Sequence, residues 1–137
     1  MLKNISPLLT PELLKLLCEM GHGDTVVLAD AHFPSHSIGS RVVRADGIKI
    51  PELLQGLMPL FELDSYTPTP VLMMKATNGD TLDLDYVKCC SRWLGRTPEF
   101  IERFEFYEEA RKAYVIVHTG ETRKYGNIIL QKGVIPA

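Results

Sequence analysis

The sequence predicts a three-layer α/β fold: a central, mainly buried sheet with helices flanking it. Three observations lead there. Thr25-Val26-Val27-Leu28-Ala29 is an unbroken, largely apolar run with β-branched members, the mark of a strand covered on both faces rather than one. Amphipathic helical segments alternate with such runs along the chain. The 137 residues also suffice to bury most of the apolar surface in one domain, spanning 1–137, without disulfide or metal staples.

Each element has a local reason. Thr10-Pro11-Glu12 opens a helix, because Thr caps, Pro tolerates the first helical position and Glu complements the positive dipole end. Leu13, Leu14, Leu16, Leu17 and Met20 supply its apolar face, and Gly21 stops it. After the strand Thr25 to Ala29, the segment Ala31 to Ser40 reads as loop. Arg41 to Ala45 alternates like a short strand, and Asp46-Gly47 turns the chain. Pro51 to Met58 reads as a second helix ending before Pro59. Asp64 to Pro68 is loop, Val71 to Lys75 strand, and Asn78-Gly79-Asp80 turn. A third helix spans roughly Leu82 to Leu94, with Leu84, Val87 and Leu94 inward. The aromatic-rich Phe100 to Tyr107 leads into a helix from Glu108 to Ala113, and Tyr114 to His118 is strand. Thr119 to Lys124 is a polar loop, and Tyr125-Gly126-Asn127 opens the final strand, Ile128 to Leu130.

The bulk numbers narrow the function classes. Fifteen basic residues stand against 17 acidic ones with no Lys or Arg run to track a phosphate backbone or an anionic membrane, so neither nucleic acid nor membrane is expected as a partner. No stretch approaches the roughly 18 apolar residues of a membrane span, and the amino-terminal residues lack a signal-peptide pattern, so a cytoplasmic location is expected. Cys18, Cys89 and Cys90, odd in number and without CxxC spacing, suit reduced thiols.

Candidate functional residues cluster at the two ends of the first strand. Asp30 sits where that strand stops, and ligands of open α/β sheets bind in the crevice beyond strand ends. His22 lies at the other end, up to about 25 Å from Asp30 at roughly 3.3 Å per residue of extended chain. Either the chain around Gly21 and Gly23 folds back, or one site draws on two subunits. A histidine just past a helix carboxyl end is also accounted for by the helix dipole alone. His32 and His36 have i, i+4 spacing, but Pro34 between them disfavours the helix that metal ligation would use, and no metal is expected. Arg103 can be a surface arginine packing over Phe104 or Phe106. Tyr125-Gly126-Asn127 places a phenol and a carboxamide beside a residue that permits close backbone approach, which is also ordinary turn chemistry.

In order and combination, Gly21-His22-Gly23-Asp24, Asp30-Ala31-His32-Phe33-Pro34, Arg44-Ala45-Asp46-Gly47, Arg103-Phe104 with Phe106-Tyr107-Glu108, and Thr119-Gly120-Glu121 with Tyr125-Gly126-Asn127 resemble the fucose mutarotase branch of the fucose mutarotase and ribose pyranase (RbsD/FucU) family. The resemblance covers nearly the whole chain and is weakest between about Lys75 and Pro98. It implies a cofactor-free isomerase that interconverts the anomers of L-fucose, in a ring-shaped homodecamer with sites between subunits. It further implies that His22 is the proton donor and that Asp30, Arg103, Tyr125, Gly126 and Asn127 bind the sugar; since phenol and imidazole each accept and donate protons, Tyr125 is expected to share the acid–base work. Within the family the alternative is a ribose-type pyranase; without the resemblance, the same residues would suit a non-catalytic monosaccharide-binding module, or a metal-dependent hydrolase built on His22, His32, His36 and nearby aspartates.

Overall fold

The structure, a computed structural model, describes residues Met1–Ala137. Six strands form one sheet in the order β2-β5-β1-β6-β3-β4, where β1 is Thr25–Ala29, β2 Val42–Ala45, β3 Val71–Met74, β4 Glu99–Ile101, β5 Val115–Thr119 and β6 Ile128–Gln131. β1, β2 and β5 run parallel, as do β3 and β4, and β6 lies between the two sets antiparallel to both β1 and β3. The helices are α1 (Pro11–Glu19), α2 (Ser35–Ile38), α3 (Ile50–Leu57), α4 (Leu84–Leu94) and α5 (Arg103–Arg111), with a 3-10 turn over Met58–Leu60.

The expected three layers follow from strand alternation. In β1, Val26 and Leu28 enter the larger core with Leu13 and Leu17 of α1, Leu53, Leu54 and Leu57 of α3, and Tyr86 and Cys90 of α4. Val27 and Ala29, one residue out of phase, join Phe33, Ile116, Ile129 and Phe106 and Ala110 of α5 on the opposite face. Successive side chains of a strand point to opposite faces, so an uninterrupted apolar run is what a doubly covered strand requires.

Local chemistry sets the ends of the elements. Thr10 Oγ1 accepts from the Leu13 backbone N–H at 3.2 Å, capping α1. At the other end, Lys132 Nζ donates to the carbonyls of Leu17 (2.8 Å) and Met20 (2.6 Å), a cation on the carbonyls that a helix end leaves free. The Gly21–Asp24 turn then reverses the chain into β1. Gly23 holds φ +89°, a region open to glycine, while Gly21 N–H donates to Asp24 Oδ2 at 2.8 Å.

Three expectations need correcting. The Ala31–Ser40 loop contains the one-turn helix α2, which starts directly after Pro34, because proline's fixed φ disrupts a helix interior but suits its beginning. Leu84 does not point inward: it is exposed on the first turn of α4, and the buried positions are Tyr86, Cys90 and Leu94, spaced by four. Finally, Glu99–Ile101 forms the edge strand β4, and α5 begins at Arg103 rather than at Glu108. Glu102 caps that helix through its carboxylate, which accepts from Phe104 N–H and Glu105 N–H.

Candidate functional site

Because β6 runs against its neighbours, the turn entering it lies at the same edge of the sheet as the carboxyl ends of β1 and β3. A cavity of about 390 Å³ opens there, lined by Asp30, His32, Phe33, Met74, Thr77, Asn78, Asp80, Arg103, Tyr107, Lys124, Tyr125 and Asn127. Four of the residues singled out from sequence, Asp30, Arg103, Tyr125 and Asn127, thus share one wall system. Their chain positions are spread over almost a hundred residues, and only the fold brings them together.

Asp30 is buried at the end of β1. Its Oδ1 accepts from His32 N–H at 3.0 Å, and its own backbone N–H donates to Asn127 Oδ1 at 2.7 Å. Burial pushes the carboxyl pKa above its ordinary value, and the hydrogen bond from the His32 backbone opposes that push only in part. The bond from Asp30 fixes the orientation of the Asn127 amide. Its NH₂ group is turned toward the Asp30 carboxylate, where the two side chains meet in the cavity wall.

Tyr125 sits at φ +60°, an uncommon conformation for an aromatic residue and the kind of strain that surrounding structure must hold in place. Its phenol donates to Asp80 Oδ2 at 2.7 Å and lies 3.2 Å from Thr77 Oγ1. Behind it, Gly126 is not part of the cavity wall: its carbonyl accepts from the buried Tyr86 Oη at 2.6 Å, which pins the turn from inside. The structure therefore gives Gly126 a backbone role in shaping the turn.

Arg103, the first residue of α5, donates through Nε to Tyr107 Oη at 3.1 Å, one helical turn on. Its guanidinium lies 5.4 Å from the ring centres of both Phe104 and Tyr107. The packing read from sequence is present, with Tyr107 in place of Phe106. That packing holds the guanidinium at the cavity, and its terminal nitrogens have no partner within the chain. His32, Asp80 and Tyr107 line the cavity without having been singled out for binding. The i, i+4 relation of Arg103 and Tyr107 was the available signal for the last, once α5 is known to begin at Arg103.

His22 is elsewhere. It stands before β1 while Asp30 follows it, so the strand alone separates them by about 16 Å. The imidazole is half-exposed, its Nε2 lies 3.1 Å from Asp64 Oδ1, and the ring of Tyr66 packs beside it at 5.2 Å. The chain does not fold back to unite the two ends. His22, His32 and His36 do not converge either, and no group of three or more His, Cys, Asp or Glu side chains is placed to hold a metal ion.

With this geometry in place, comparison with known proteins is informative. The model of the RbsD / FucU transport protein family matches residues 3–135. Proteins named L-fucose mutarotase from Histophilus somni and Haemophilus influenzae are 54% and 55% identical over 142 aligned positions, spanning 99% of this chain and 99% of each relative. The crystal structure of the fucose mutarotase from Streptococcus pneumoniae in complex with L-fucose superposes with a TM-score of 0.93 at 42% identity, covering 98% of this chain and 100% of that one. Bacillus subtilis RbsD complexed with D-ribose, at 22% identity and a TM-score of 0.77, shares the fold. A match that runs through every element described above, from before α1 to beyond β6, leaves one conclusion: this chain belongs to the RbsD/FucU family.

Proposed function

We propose that this chain interconverts the α and β anomers of L-fucose by opening and reclosing the pyranose ring. The observation that carries the reading is the cavity wall, where a buried carboxylate, an oriented amide, a guanidinium and a phenol converge on a space fit for a monosaccharide. Full-length similarity to proteins named for this activity supports it.

Ring opening needs a base to take the proton of the anomeric hydroxyl as the bond from C1 to the ring oxygen breaks, and an acid to protonate that ring oxygen. Rotation about C1–C2 and the reverse transfers then give the other anomer. Tyr125 and His22 are assigned these proton transfers, since phenol and imidazole each accept and donate. Asp30 and Asn127 hold sugar hydroxyls, and Arg103 fixes a ring edge with its planar donors. No cofactor enters, because only protons move. A positioned acid or base contributes ~10²–10⁴-fold, ample for a reaction that already proceeds in water.

His22 reaches the sugar from a neighbouring subunit. Its place at the amino end of β1, outside the cavity that Asp30 lines, supports a site assembled between copies, and we assign the assembly as a homodecamer in the cytoplasm, where Cys18, Cys89 and Cys90 remain free thiols.

Saturation transfer between the α and β anomeric protons tests the reading. With L-fucose, catalytic amounts of protein should transfer saturation between the anomers well above the spontaneous rate, and less with D-ribose. Sugar binding without faster exchange would make the chain a binding module.

A further inference from the structure

Asp64 is a loop residue by sequence and a buried one in the structure. It is the most enclosed charged group at the amino end of β1. Its Oδ1 accepts from Tyr66 N–H at 3.0 Å, closing a short turn, and faces His22 Nε2 at 3.1 Å. Its Oδ2 accepts from Gln131 Nε2 at 3.0 Å. The backbone is held as firmly: Asp64 N–H donates to Gln131 O at 3.0 Å, Leu63 bridges Lys132, and Gly133 N–H donates to Glu62 O at 2.8 Å. Gly133 makes this approach possible, because a Cβ there would lie 2.6 Å from Asp64 Cα. Hydrogen bonding, chiefly from the Tyr66 backbone, holds the Asp64 carboxyl below the usual carboxylate range, so it is an anion wherever histidine chemistry operates.

An anion that only accepts, set against an imidazole, decides which ring nitrogen carries the proton. Nε2 must donate, and Nδ1 is left without a hydrogen bond within the chain, on a half-exposed ring. We propose that Asp64 is a positioning residue for the mutarotase reaction: it holds His22 as the Nε2–H tautomer, so that Nδ1 is the nitrogen that exchanges protons with the sugar, and it balances the imidazolium formed when Nδ1 takes one. The inference rests on the assignment of His22 as an acid–base group. In the cycle Nδ1 gains a proton and returns it, Nε2 keeps its own throughout, and the carboxylate stays ionised. Asp64 touches no substrate.

Two measurements test this on the intact assembly. Long-range ¹H–¹⁵N NMR of the wild-type protein should find the neutral His22 proton on Nε2, whereas a proton on Nδ1 overturns the proposal without any variant. The second is a double-mutant cycle. Asp64→Asn keeps an oxygen at Oδ1 for both Tyr66 N–H and His22 Nε2–H but removes the charge that balances the imidazolium, and should lower kcat on the order of tenfold to a hundredfold, part of what a positioned acid or base supplies, with KM changed by less than about threefold. In the His22→Ala background the same change should have no further effect, because Asp64 acts only through the ring. Effects that multiply overturn the proposal, as does an Asp64→Asn variant as fast as wild type beside an inactive His22→Ala. A fully active His22→Ala would instead remove the acid–base role of His22 itself, which separates the two failures.

Discussion

At the carboxyl end of β1 the chain builds a walled cavity whose polar groups are already oriented by partners of their own, whereas at the amino end it offers one half-exposed imidazole backed by a buried carboxylate. The first arrangement suits recognition, since Asp30 and Asn127 fix each other and Arg103 is braced on Tyr107. The second suits delivery of a reactive group into a site formed by something else. Neither end alone contains both a sugar-binding surface and His22, which is the physical argument for a site completed by a second copy.

The largest expected effect breaks the delivering end. His22→Ala should lower anomer exchange by ~10²–10⁴-fold, the contribution of one acid–base group. The fold should survive, because the side chain is half-exposed and its loss leaves Asp64 bonded to Tyr66 and Gln131. A variant exchanging L-fucose anomers within threefold of wild type would show the imidazole to be structural. Tyr125→Phe probes the receiving end and should cost ~10²-fold in rate with little change in sugar affinity, the pattern of a group used in the transition state. Exchange within threefold of wild type would reduce Tyr125 to packing.

The link between the two ends is tested by complementation. If each site takes His22 from one subunit and Tyr125 from the next, co-expressed His22→Ala and Tyr125→Phe chains assemble at random with about a quarter of the sites intact. Activity should reappear to that extent in mixed assemblies purified through two tags. Mixed assemblies no more active than their parents would confine the site to one chain. The smallest effect concerns stability. Burial raises the Asp30 pKa, so its ionisation opposes folding, and stability is lost as pH rises through the folded-state value. Asp30→Asn keeps the acceptor for His32 N–H and lifts that cost, so its Tm should exceed wild type by a few degrees at most at pH 7, with the gain vanishing below the carboxylate range. A gain independent of pH would remove Asp30 ionisation as its cause.

Much of the scaffold was readable because its signals are local. The β1 run, the Thr10-Pro11-Glu12 start and the glycine-bearing turn after α1 each act within a few residues. β4 was missed because it is a three-residue edge strand with no buried residue, and α5 was entered late because its amino-terminal half carries only Phe106 into the core. That His22 and Asp30 stand at opposite ends of β1 was legible in their spacing. The partner of His22 was not: Asp64 lies 42 residues away, and the Gln131 that steadies it lies 67 residues further on, a relation that only strand pairing creates.

β6 joins the two ends, because the turn at its start carries Tyr125 and Asn127 while Gln131 at its finish grips Asp64. Four residues of strand therefore act as a ruler between the cavity end of the sheet and the end that holds His22. Inserting one residue would turn Gln131 to the opposite face, and inserting two would restore its face but move the halves apart by about 7 Å. A change in the length of β6 would therefore be felt at both ends of the sheet at once, in the turn that carries Tyr125 and Asn127 and in the grip of Gln131 on Asp64.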